Sequence, residues 1–516
     1  MLTPVHIIGI LLTVGLLLVV SVLSGRKVKD AKSFTTGGRS GSWMVCGAIL
    51  GTLVGGQSTI GTAQLAFSFG ISSWWFTIGA ALGALVLALV YARPLRESDC
   101  STLLEIVSRQ YGRRAETVGS VLFLIGIFIS IMSQVLSSSA MVTSLFHIPL
   151  TWAAVVSAVL IMLFVLFGGI RSAGAGGIIK LVLLYVTSLA AGAMVWYLGK
   201  GIGGIMDSIE AVYADPVVAG LNDITDAESI HHRYGNMVAR GALKDIGGCL
   251  SLMLGVVTTQ TYAQGIWSAA STPKARRGAI YCACLIPIIG AACTLVGMYM
   301  RGHYVTTAEL AALQAAGHQL PEGIGVIEGS LQAFPAFVLN HLPAWIGGIC
   351  LGAMLVNILG CGSGLTLGAA TILVRDVVDN LRQLRVSRQF GHRLPRAVVV
   401  TGSSALVQTR LAIVAILTLA VVVALSVRGT FINDLGFLSL GLRAVALLFP
   451  LSFALFLPGR FRANRVVPAM VAGTAVMLLA KFFSLPADPI YYGLGISALV
   501  MFSGLRTAKG AKRLRW

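Results

Sequence analysis

Charged residues are scarce in this chain of 516 residues, since Asp, Glu, Lys and Arg together make up 11% of it while 56% is hydrophobic. Soluble domains contain about 25% charged residues, so this composition excludes a water-soluble protein. The apolar excess also excludes a disordered chain, because disordered segments are polar and highly charged. We therefore expect an all-α integral membrane protein.

The chain also lacks the residue patterns of the common catalytic and metal sites. Its apolar runs contain no HExxH sequence, no paired carboxylates and no Ser/His/Asp arrangement, so neither an enzyme nor a bound cofactor is expected. Its eight cysteines lie almost entirely inside apolar runs, and Cys282 and Cys284 are spaced as CxC and not as CxxC. We interpret the cysteines as small buried hydrophobic residues.

Thirteen apolar runs approach the length that a bilayer core requires, which is about 20 residues per helix. They cover approximately residues 5–24, 42–68, 72–92, 117–145, 150–168, 177–199, 243–268, 278–300, 342–372, 409–427, 434–457, 466–483 and 488–504. The first run has Arg26, Lys27 and Lys29 after it and no basic residue before it. This pattern is typical of an uncleaved helix with its N-terminus outside.

The positive charge of the chain is unevenly placed. There are 38 Lys and Arg against 19 Asp and Glu, a formal net charge of +19. With the N-terminus outside, 30 of the basic residues fall in cytoplasmic segments and 5 in external ones, which is the bias of the positive-inside rule. The excess charge therefore indicates topology, with a cytoplasmic C-terminus. It gives no reason to expect nucleic acid as a partner; the expected partners are a small-molecule solute and the lipid bilayer, and no obligatory protein partner is evident.

After the first helix, the next ten predicted helices form two groups of five. The predicted organisation is an extra helix and basic loop (1–41), a first repeat (42–199), an external loop (200–241), a second repeat (243–457), and two C-terminal helices with a basic tail (458–516). Because five is odd, the two groups have opposite polarity in the membrane, which is the arrangement of an inverted repeat. We interpret the acidic residues and histidines of the external loop as a solvated cap, with a metal site or a substrate antechamber as the alternative.

Glycine and polar residues interrupt the first helix of each group. Residues 46–67 read CGAILGTLVGGQSTIGTAQLAF, and residues 247–264 combine three glycines with threonine and glutamine. Glycine costs a helix about 0.8–1 kcal/mol relative to alanine. Two breaks at matching positions of two repeats predict a substrate site in the middle of the membrane, and close helix packing at glycine is the alternative. The predicted substrate-binding residues are Gln57, Ser58, Thr59, Gln134, Gln260, Gln264 and Arg443.

Arg443 is one of the few charges within an apolar run. A mid-helix arginine costs about 2.5–3.5 kcal/mol on insertion scales, so it should face protein, water or an anion. It is predicted either to recognise a carboxylate or phosphate of the substrate or to form a salt bridge of a gate.

Local sequences along nearly the whole chain resemble the sodium/solute symporter family. They are FTTGGRS at 34–40, Gln134, STLLEIVSRQYGRRA at 101–115, FGGIRS at 167–172, and Gln260 with Gln264 before Ala269 and Ala270. The resemblance implies a 5+5 inverted-repeat core of the LeuT type with 13 transmembrane helices, and a solute:cation symporter that imports a small polar solute by alternating access. A bacterial inner membrane is the expected location. A proton-coupled or uncoupled carrier on the same fold, or a sensory membrane module that binds a solute, is the alternative.

The resemblance also places a cation site where the usual ligands are missing. The family's carbonyl, hydroxyl and acidic ligand positions map to Gly51 and Val54, to Gly360 and Cys361, and to Gly177. Sodium prefers oxygen ligands, and the last three residues have no side-chain oxygen. Lys180 follows Gly177 by one helical turn, so its ammonium group could take the place of the sodium charge; the alternative is that it snorkels to the cytoplasmic interface. Sodium and the proton are both possible coupling ions.

Overall fold

The computed structural model describes residues 2–26, 40–98, 100, 102–168, 175–320, 323–374, 403–426 and 430–506. Helices dominate these residues. The α-helices are α1 (Pro4–Arg26), α2 (Ser42–Leu53), α3 (Thr62–Phe69), α4 (Trp75–Val86), α5 (Ala92–Glu97), α6 (Leu103–Tyr111), α7 (Arg113–Phe146), α8 (Leu150–Gly168), α9 (Ala175–Leu198), α10 (Gly201–Tyr213), α11 (Pro216–Leu221), α12 (Ala227–Gly235), α13 (Ala242–Val257), α14 (Gln260–Ser268), α15 (Thr272–His303), α16 (Thr307–Ala315), α17 (Ala333–His341), α18 (Ala344–Ile372), α19 (Ser403–Ser426), α20 (Ile432–Phe456), α21 (Ala463–Phe482) and α22 (Pro489–Phe502).

Short elements connect several of these helices. Turns of π-helix cover Gln57–Gly61 and Leu87–Tyr91, and 3-10 turns cover Gly70–Trp74 and Ser330–Gln332. The strands β1 (Tyr304–Thr306) and β2 (Gly325–Ile327) pair in parallel, with Val305 opposite Val326.

Each of the thirteen predicted apolar runs falls on one helix or on a series of shorter helices. By length and composition, eight helices of the described part could cross a membrane, or up to nine if the bent pair α13 and α14 is one span. The basic segments 27–39, 375–402 and 507–516 lie outside the described residues, as do the motif positions 34–39 and 169–172.

One of the eight candidate spans, residues 57–97, is interrupted at Gly70. Gly70 has φ 54° and ψ −132°, a conformation that side chains other than glycine rarely adopt. The backbone of Tyr234 also approaches so closely that a side chain at Gly70 would overlap it. The stretch therefore contains two separate helical segments, as the sequence predicted.

The helix contacts occur in matching pairs. In each pair, the second contact is between the counterparts, in the other group of five, of the helices that form the first. The contact of α2 and α3 with α15 matches that of α13 with α4, and the contact of α7 with α20 matches that of α18 with α9. The contact of α8 with α18 matches that of α19 with α7. α1 lies outside this set and packs against α18, where a methyl group on Gly9 would lie 2.9 Å from backbone atoms of Gly348.

The region predicted to be external is more structured than the sequence indicated. The predicted loop 200–241 contains α10, α11 and α12, and residues 304–341, for which no element was predicted, contain both strands, α16 and α17. Asp215 and Asp226 accept backbone N–H groups at the starts of α11 and α12, both at 2.8 Å. These helices have only six and nine residues, so a search for long apolar runs does not find them. Their N-caps are the available signal.

Candidate functional site

The first helix break separates α2 from the π turn that precedes α3. Val54, directly after α2, has an extended backbone with φ −95° and ψ 98°. The N–H of Gly56 donates to Oε1 of Gln134 on α7, at 3.1 Å. A side chain at Gly56 would overlap Ser137 of the same helix. The predicted glycine break is therefore present, and α7 holds its backbone through Gln134.

Two of the predicted hydroxyl residues stabilise this break from within. Ser58 Oγ donates to the carbonyl of Leu53 at 3.4 Å, and Thr59 Oγ1 donates to the carbonyl of Gly55 at 3.1 Å. Interrupting a helix frees backbone carbonyls, and in a membrane these need partners within the protein. Both hydroxyls supply such partners, so they are part of the break itself.

The second break separates α13 from α14 and has similar chemistry. The two helices meet at an angle of 47°. Thr258 Oγ1 donates to the carbonyl of Leu254 at 3.0 Å, and Thr259 Oγ1 donates to that of Gly255 at 2.7 Å. Thr259 has an extended backbone, with φ −95° and ψ 125°. Both predicted breaks thus end a helix and leave hydroxyl residues beside the freed carbonyls.

A continuous chain of hydrogen bonds joins the two breaks. Gln57 Nε2 donates to Ser133 Oγ at 2.5 Å, and Ser133 Oγ donates to the carbonyl of Ser130 at 2.7 Å. Arg443 then donates from Nη2 to Ser130 Oγ at 2.9 Å and from Nη1 to Thr259 Oγ1 at 3.1 Å. Side chains of α7 and α20 therefore connect two segments that are about 200 residues apart in sequence.

Arg443 is the residue where this chain of hydrogen bonds converges. Its side chain is 2% exposed, and it also donates from Nε to the carbonyl of Ser439 at 3.1 Å and from Nη2 to Ser439 Oγ at 2.8 Å. Within the described residues no carboxylate forms an ion pair with it, so the salt bridge considered from sequence is not observed. We refer to Gln57, Ser130, Ser133, Thr259, Ser439 and Arg443 as the central network.

One of the two carbonyls that map to the cation site of the family, that of Val54, already accepts a hydrogen bond, and so does the neighbouring carbonyl of Thr52. Asn357 Nδ2 donates to the carbonyl of Val54 at 2.8 Å, and Cys361 Sγ donates to the carbonyl of Thr52 at 3.3 Å. Gly51 lies within α2. The sequence interpretation missed Asn357, although an amide in the middle of an apolar helix, one turn before Cys361, was a usable signal.

Lys180 lies against Gly360, at the position mapped to the first missing hydroxyl. A methyl group on Gly360 would overlap the Nζ atom, so the glycine leaves room for the amine. Gly360 is near the middle of α18, and Gly177 precedes Lys180 by one turn of α9. Among the described residues Nζ has no hydrogen-bond partner, and Cys361 is close enough to interact with its charge. The amine thus lies beside the mapped cation position.

The central network leaves out five predicted substrate residues: Ser58, Thr59 and Gln134, which contact the first break, and Gln260 and Gln264, which lie on α14. Gln260 Oε1 accepts the backbone N–H of Leu103 at 2.8 Å, which places it at the start of α6. Gln264 is partly buried on the same short helix, α14, and no hydrogen bond connects it to the network within the described part of the chain.

Two other buried arginines lie toward the predicted outer ends of the helices, and both are paired with carboxylates. Arg240 is 2.8 Å from Asp245 and 2.7 Å from Asp434, and Arg301 is 2.9 Å from Glu309. Burial alone would raise the pKa of Glu309, but Arg301 outweighs this effect and the pKa is lowered.

Comparison with known proteins gives a family match over most of the chain. The model of the sodium:solute symporter family matches residues 33–456. The chain is 25% identical to the high-affinity choline transporter 1 of Torpedo marmorata over 390 residues, which cover 72% of this chain and 61% of that protein. It is 23% identical to the human high affinity choline transporter 1 over 397 residues, which cover 74% of this chain and 62% of that protein. The chain thus spans about three fifths of the length of these relatives.

Solved structures share the fold at low sequence identity. A Na+-coupled sialic acid symporter in a substrate-bound, outward-open state is similar over 100% of both chains, with a TM-score of 0.70 and 16% identity. A nucleobase-cation-symport-1 family transporter, in a closed conformation with bromovinylhydantoin bound, has a TM-score of 0.50 and 12% identity, covering 91% of this chain and 93% of the other.

Proposed function

Because the chain belongs to the sodium:solute symporter family, we propose that it is a secondary transporter that imports a small polar solute into the cytoplasm by alternating access. The observation that carries this proposal is the central network, in which polar side chains join two broken helices. Broken helices that meet at mid-membrane are the usual site of solute binding in inverted-repeat transporters. In this proposal the solute chamber forms between the breaks, next to Gln57 and Thr259.

The proposed architecture is a 5+5 inverted repeat of residues 42–199 and 243–457, with three further helices and 13 spans in total. The matching helix contacts support it. If the five helices of one group are exchanged for their counterparts, the contacts of α2 and α3 with α15 become the contact of α13 with α4. The contact of α7 with α20 likewise becomes that of α18 with α9. A gene duplication with inverted insertion produces this exchange symmetry.

The proposed orientation has the N-terminus outside and the C-terminus in the cytoplasm. It rests on the excess of Lys and Arg in the segments that this orientation places inside. A bacterial inner membrane is the proposed location.

The chamber residues with neutral polar side chains suit a solute that loses its water shell. Amide and hydroxyl groups can replace hydrogen bonds to water without adding a fixed charge to the membrane. Gln57 and Gln134 lie at the first break and Thr259 at the second. Ser58 and Thr59 contribute by keeping the first break open, and we assign Gln260 and Gln264 to the periphery of the chamber.

We further propose that a proton at Lys180, in place of sodium, is the coupling ion. A hard cation needs several oxygen ligands, and the carbonyl of Val54 already accepts a hydrogen bond from Asn357. The ammonium group of Lys180 lies against Gly360, where the family would supply a hydroxyl. Gain and loss of a proton at this amine would change the charge of the site as binding and release of sodium do in a sodium-coupled carrier.

Uptake into proteoliposomes tests the proposed function. The purified full-length chain is reconstituted, and a proton gradient or a sodium gradient is imposed separately. Accumulation of radiolabelled amino acids, organic acids, sugars and choline, the substrate named for the relatives above, is then measured. We expect one class of solute to accumulate under a proton gradient. Failure of every solute to accumulate under either gradient would contradict the transporter proposal.

Lys180→Met tests the coupling ion within the same assay. Loss of the amine should reduce proton-driven accumulation about tenfold or more, a factor typical of coupling between two sites. Exchange of solute without a gradient should continue, because it does not need a net proton movement. Lys244→Met, which removes an exposed lysine at the outer end of α13, is the matched control. Accumulation driven by sodium alone would refute the role of Lys180 and leave the transporter proposal intact.

A further inference from the structure

The acceptors around Arg443 are all electrically neutral. Ser439 Oγ donates its proton to the carbonyl of Gly126 at 2.5 Å, so Ser130 Oγ is the donor in its 2.6 Å contact with Ser439. Thr259 Oγ1 donates to the backbone of α13. All three hydroxyl groups therefore turn their protons away and present lone pairs to the guanidinium group. They solvate its charge but do not neutralise it.

One N–H group of Arg443 remains without a partner. A guanidinium group has five N–H donors. The one on Nε and the two on Nη2 are used, and Nη1 donates once, to Thr259. The second N–H of Nη1 has no acceptor among the described residues. Since Nη1 is the atom that contacts Thr259, the free donor lies at the second helix break, where the proposed chamber begins.

The chain does not supply a carboxylate to this position within the part that the structure describes. Of its buried carboxylates, Asp245 is paired with Arg240 and Glu309 with Arg301, and neither Glu116 nor Asp488 forms an ion pair with Arg443. Removing one partner of a buried ion pair is strongly destabilising, because it leaves an uncompensated buried charge. A group from outside the chain is the remaining candidate to neutralise Arg443.

A second cation, Lys180, lies against Gly360, the residue before Cys361. The thiol of Cys361 is close enough to interact electrostatically with both Lys180 and Arg443. With Lys180 protonated, the middle of the molecule therefore has two positive charges and, among the described residues, no negative charge next to them. Such a region attracts anions and repels cations.

We propose that the transported solute carries a carboxylate, which binds the free N–H of Nη1 on Arg443 and neutralises the guanidinium charge. This proposal rests on the proposed function and names the substrate class of the same chamber. A carboxylate is favoured over a phosphate because its single negative charge matches Arg443, the one of these two cations that keeps its charge when Lys180 releases its proton, whereas a phosphate brings about −1.5 to −2 at neutral pH.

Pairs of a carboxylate and its amide test this proposal on the unchanged protein. Acetate and acetamide, lactate and lactamide, and nicotinate and nicotinamide differ mainly in charge, and choline serves as a cation. Each is offered to proteoliposomes, and uptake and exchange are measured. We expect at least one carboxylate to be preferred over its amide by about 10- to 100-fold, which corresponds to the 1.5–3 kcal/mol of a hydrogen bond to a charged group.

Variants of Arg443 show whether this residue causes the preference. Arg443→Gln should abolish it, so that an amide and its carboxylate are taken up alike, and Arg443→Lys should retain part of it because the charge is kept. Lys244→Gln, which removes the same charge from an exposed position, should retain all of it. If Arg443 were only structural, Arg443→Gln would reduce uptake of both members of a pair and leave their ratio unchanged.

The outcomes separate the two proposals. Uptake of choline or of amides without a preference for any carboxylate would overturn the carboxylate proposal and leave the transporter proposal standing. Lack of uptake of every probe would overturn both. Because the pair comparison uses the native sequence, it decides the question even if Arg443→Gln does not fold.

Discussion

Arg301 and Arg443 are both buried, with 1% and 2% of the residue exposed, but their surroundings differ. Arg301 is paired with the carboxylate of Glu309 and lies over the rings of Phe67 and Tyr213, at 5.2 and 4.5 Å from their centroids. Among the described residues, the hydrogen-bond acceptors of Arg443 are hydroxyl and carbonyl groups only, and its guanidinium lies 5.9 Å from the centroid of the Phe123 ring. The charge of Arg301 is therefore neutralised by a carboxylate of the protein, whereas in our proposal the charge of Arg443 is left for a partner. The same residue type thus serves stability in one region and, in our proposal, recognition in the other.

Local sequence explains the outer pair. Glu309 is the third residue of α16 and forms a capping box with Thr306. The start of this helix therefore holds the carboxylate next to Arg301, which lies in the last turn of α15. The acceptors of Arg443 belong instead to α7, to the break after α13 and to its own helix, α20. The outer contact is built by neighbours in sequence, and the central one requires the whole bundle.

The largest expected effect is on the outer pair. Glu309→Gln would leave a buried guanidinium without its counter-charge, which should lower the free energy of unfolding by about 3–5 kcal/mol. Thermal unfolding in detergent micelles measures the change, and Glu328→Gln, at an exposed glutamate, is the control.

The same ion pair makes stability depend on pH. Because Arg301 keeps the pKa of Glu309 low, the stability that the Glu309 carboxylate contributes is present above the pKa of an unfolded glutamate, near 4.3, and is lost as the pH falls through the lower folded value. An unchanged melting temperature would show that the ion pair does not explain the contrast with Arg443.

An intermediate effect is expected in the central network. Ser130→Ala removes an acceptor of Arg443, and a hydrogen bond to a charged group is worth about 1.5–3 kcal/mol. We expect a smaller loss of stability than for Glu309→Gln, together with altered affinity for the solute, since the guanidinium gains a free donor. Ser503→Ala, which removes an exposed hydroxyl that bonds only to its own helix, is the control. A loss larger than that of Glu309→Gln would reverse the proposed division between stability and recognition.

The smallest expected effect on stability concerns Asp488, whose carboxylate is buried and, among the described residues, forms no ion pair. Burial raises the pKa of Asp488 to about 6, above the value of about 3.9 for an unfolded aspartate. Its contribution to stability is therefore fully present below about pH 4 and lost as the pH rises through 6. Asp488→Asn can keep the hydrogen bond from the N–H of Ile490 and should remove a pH dependence on the order of 1–2 kcal/mol.

Melting temperatures between pH 4.5 and 8 measure this effect. Relative to the native chain, Asp488→Asn should be most stabilised at the alkaline end of the range. Parallel curves for the two proteins would mean that Asp488 is better solvated than its burial suggests. The opposite pH dependences of Asp488 and Glu309 separate burial from pairing as causes of a pKa shift.

The helix breaks could be predicted because their causes are local. Glycine and hydroxyl residues within apolar runs located both breaks, and Ser58 and Thr259 donate to backbone carbonyls five and four residues earlier. The same reasoning did not reveal that Gln260 also caps α6 at Leu103. The sequence pattern around a glutamine beside a break is the same whether its amide faces a solute or caps a helix that starts 157 residues away, so the sequence does not distinguish the two roles.

Composition and periodic apolar runs by themselves determined that this chain is helical, where its long apolar helices lie and where two of them break, because hydropathy and backbone propensity act over one or two helical turns. Only the tertiary structure decided that Lys180 meets Gly360, that Asn357 donates to the carbonyl of Val54 and that, among the described residues, Arg443 has no carboxylate beside it. The contacts of Lys180, Asn357 and Arg443 with other segments join residues from 180 to 313 positions apart in sequence, and they depend on how whole helices pack. Packing is a property of all the helices together, so no single segment encodes it.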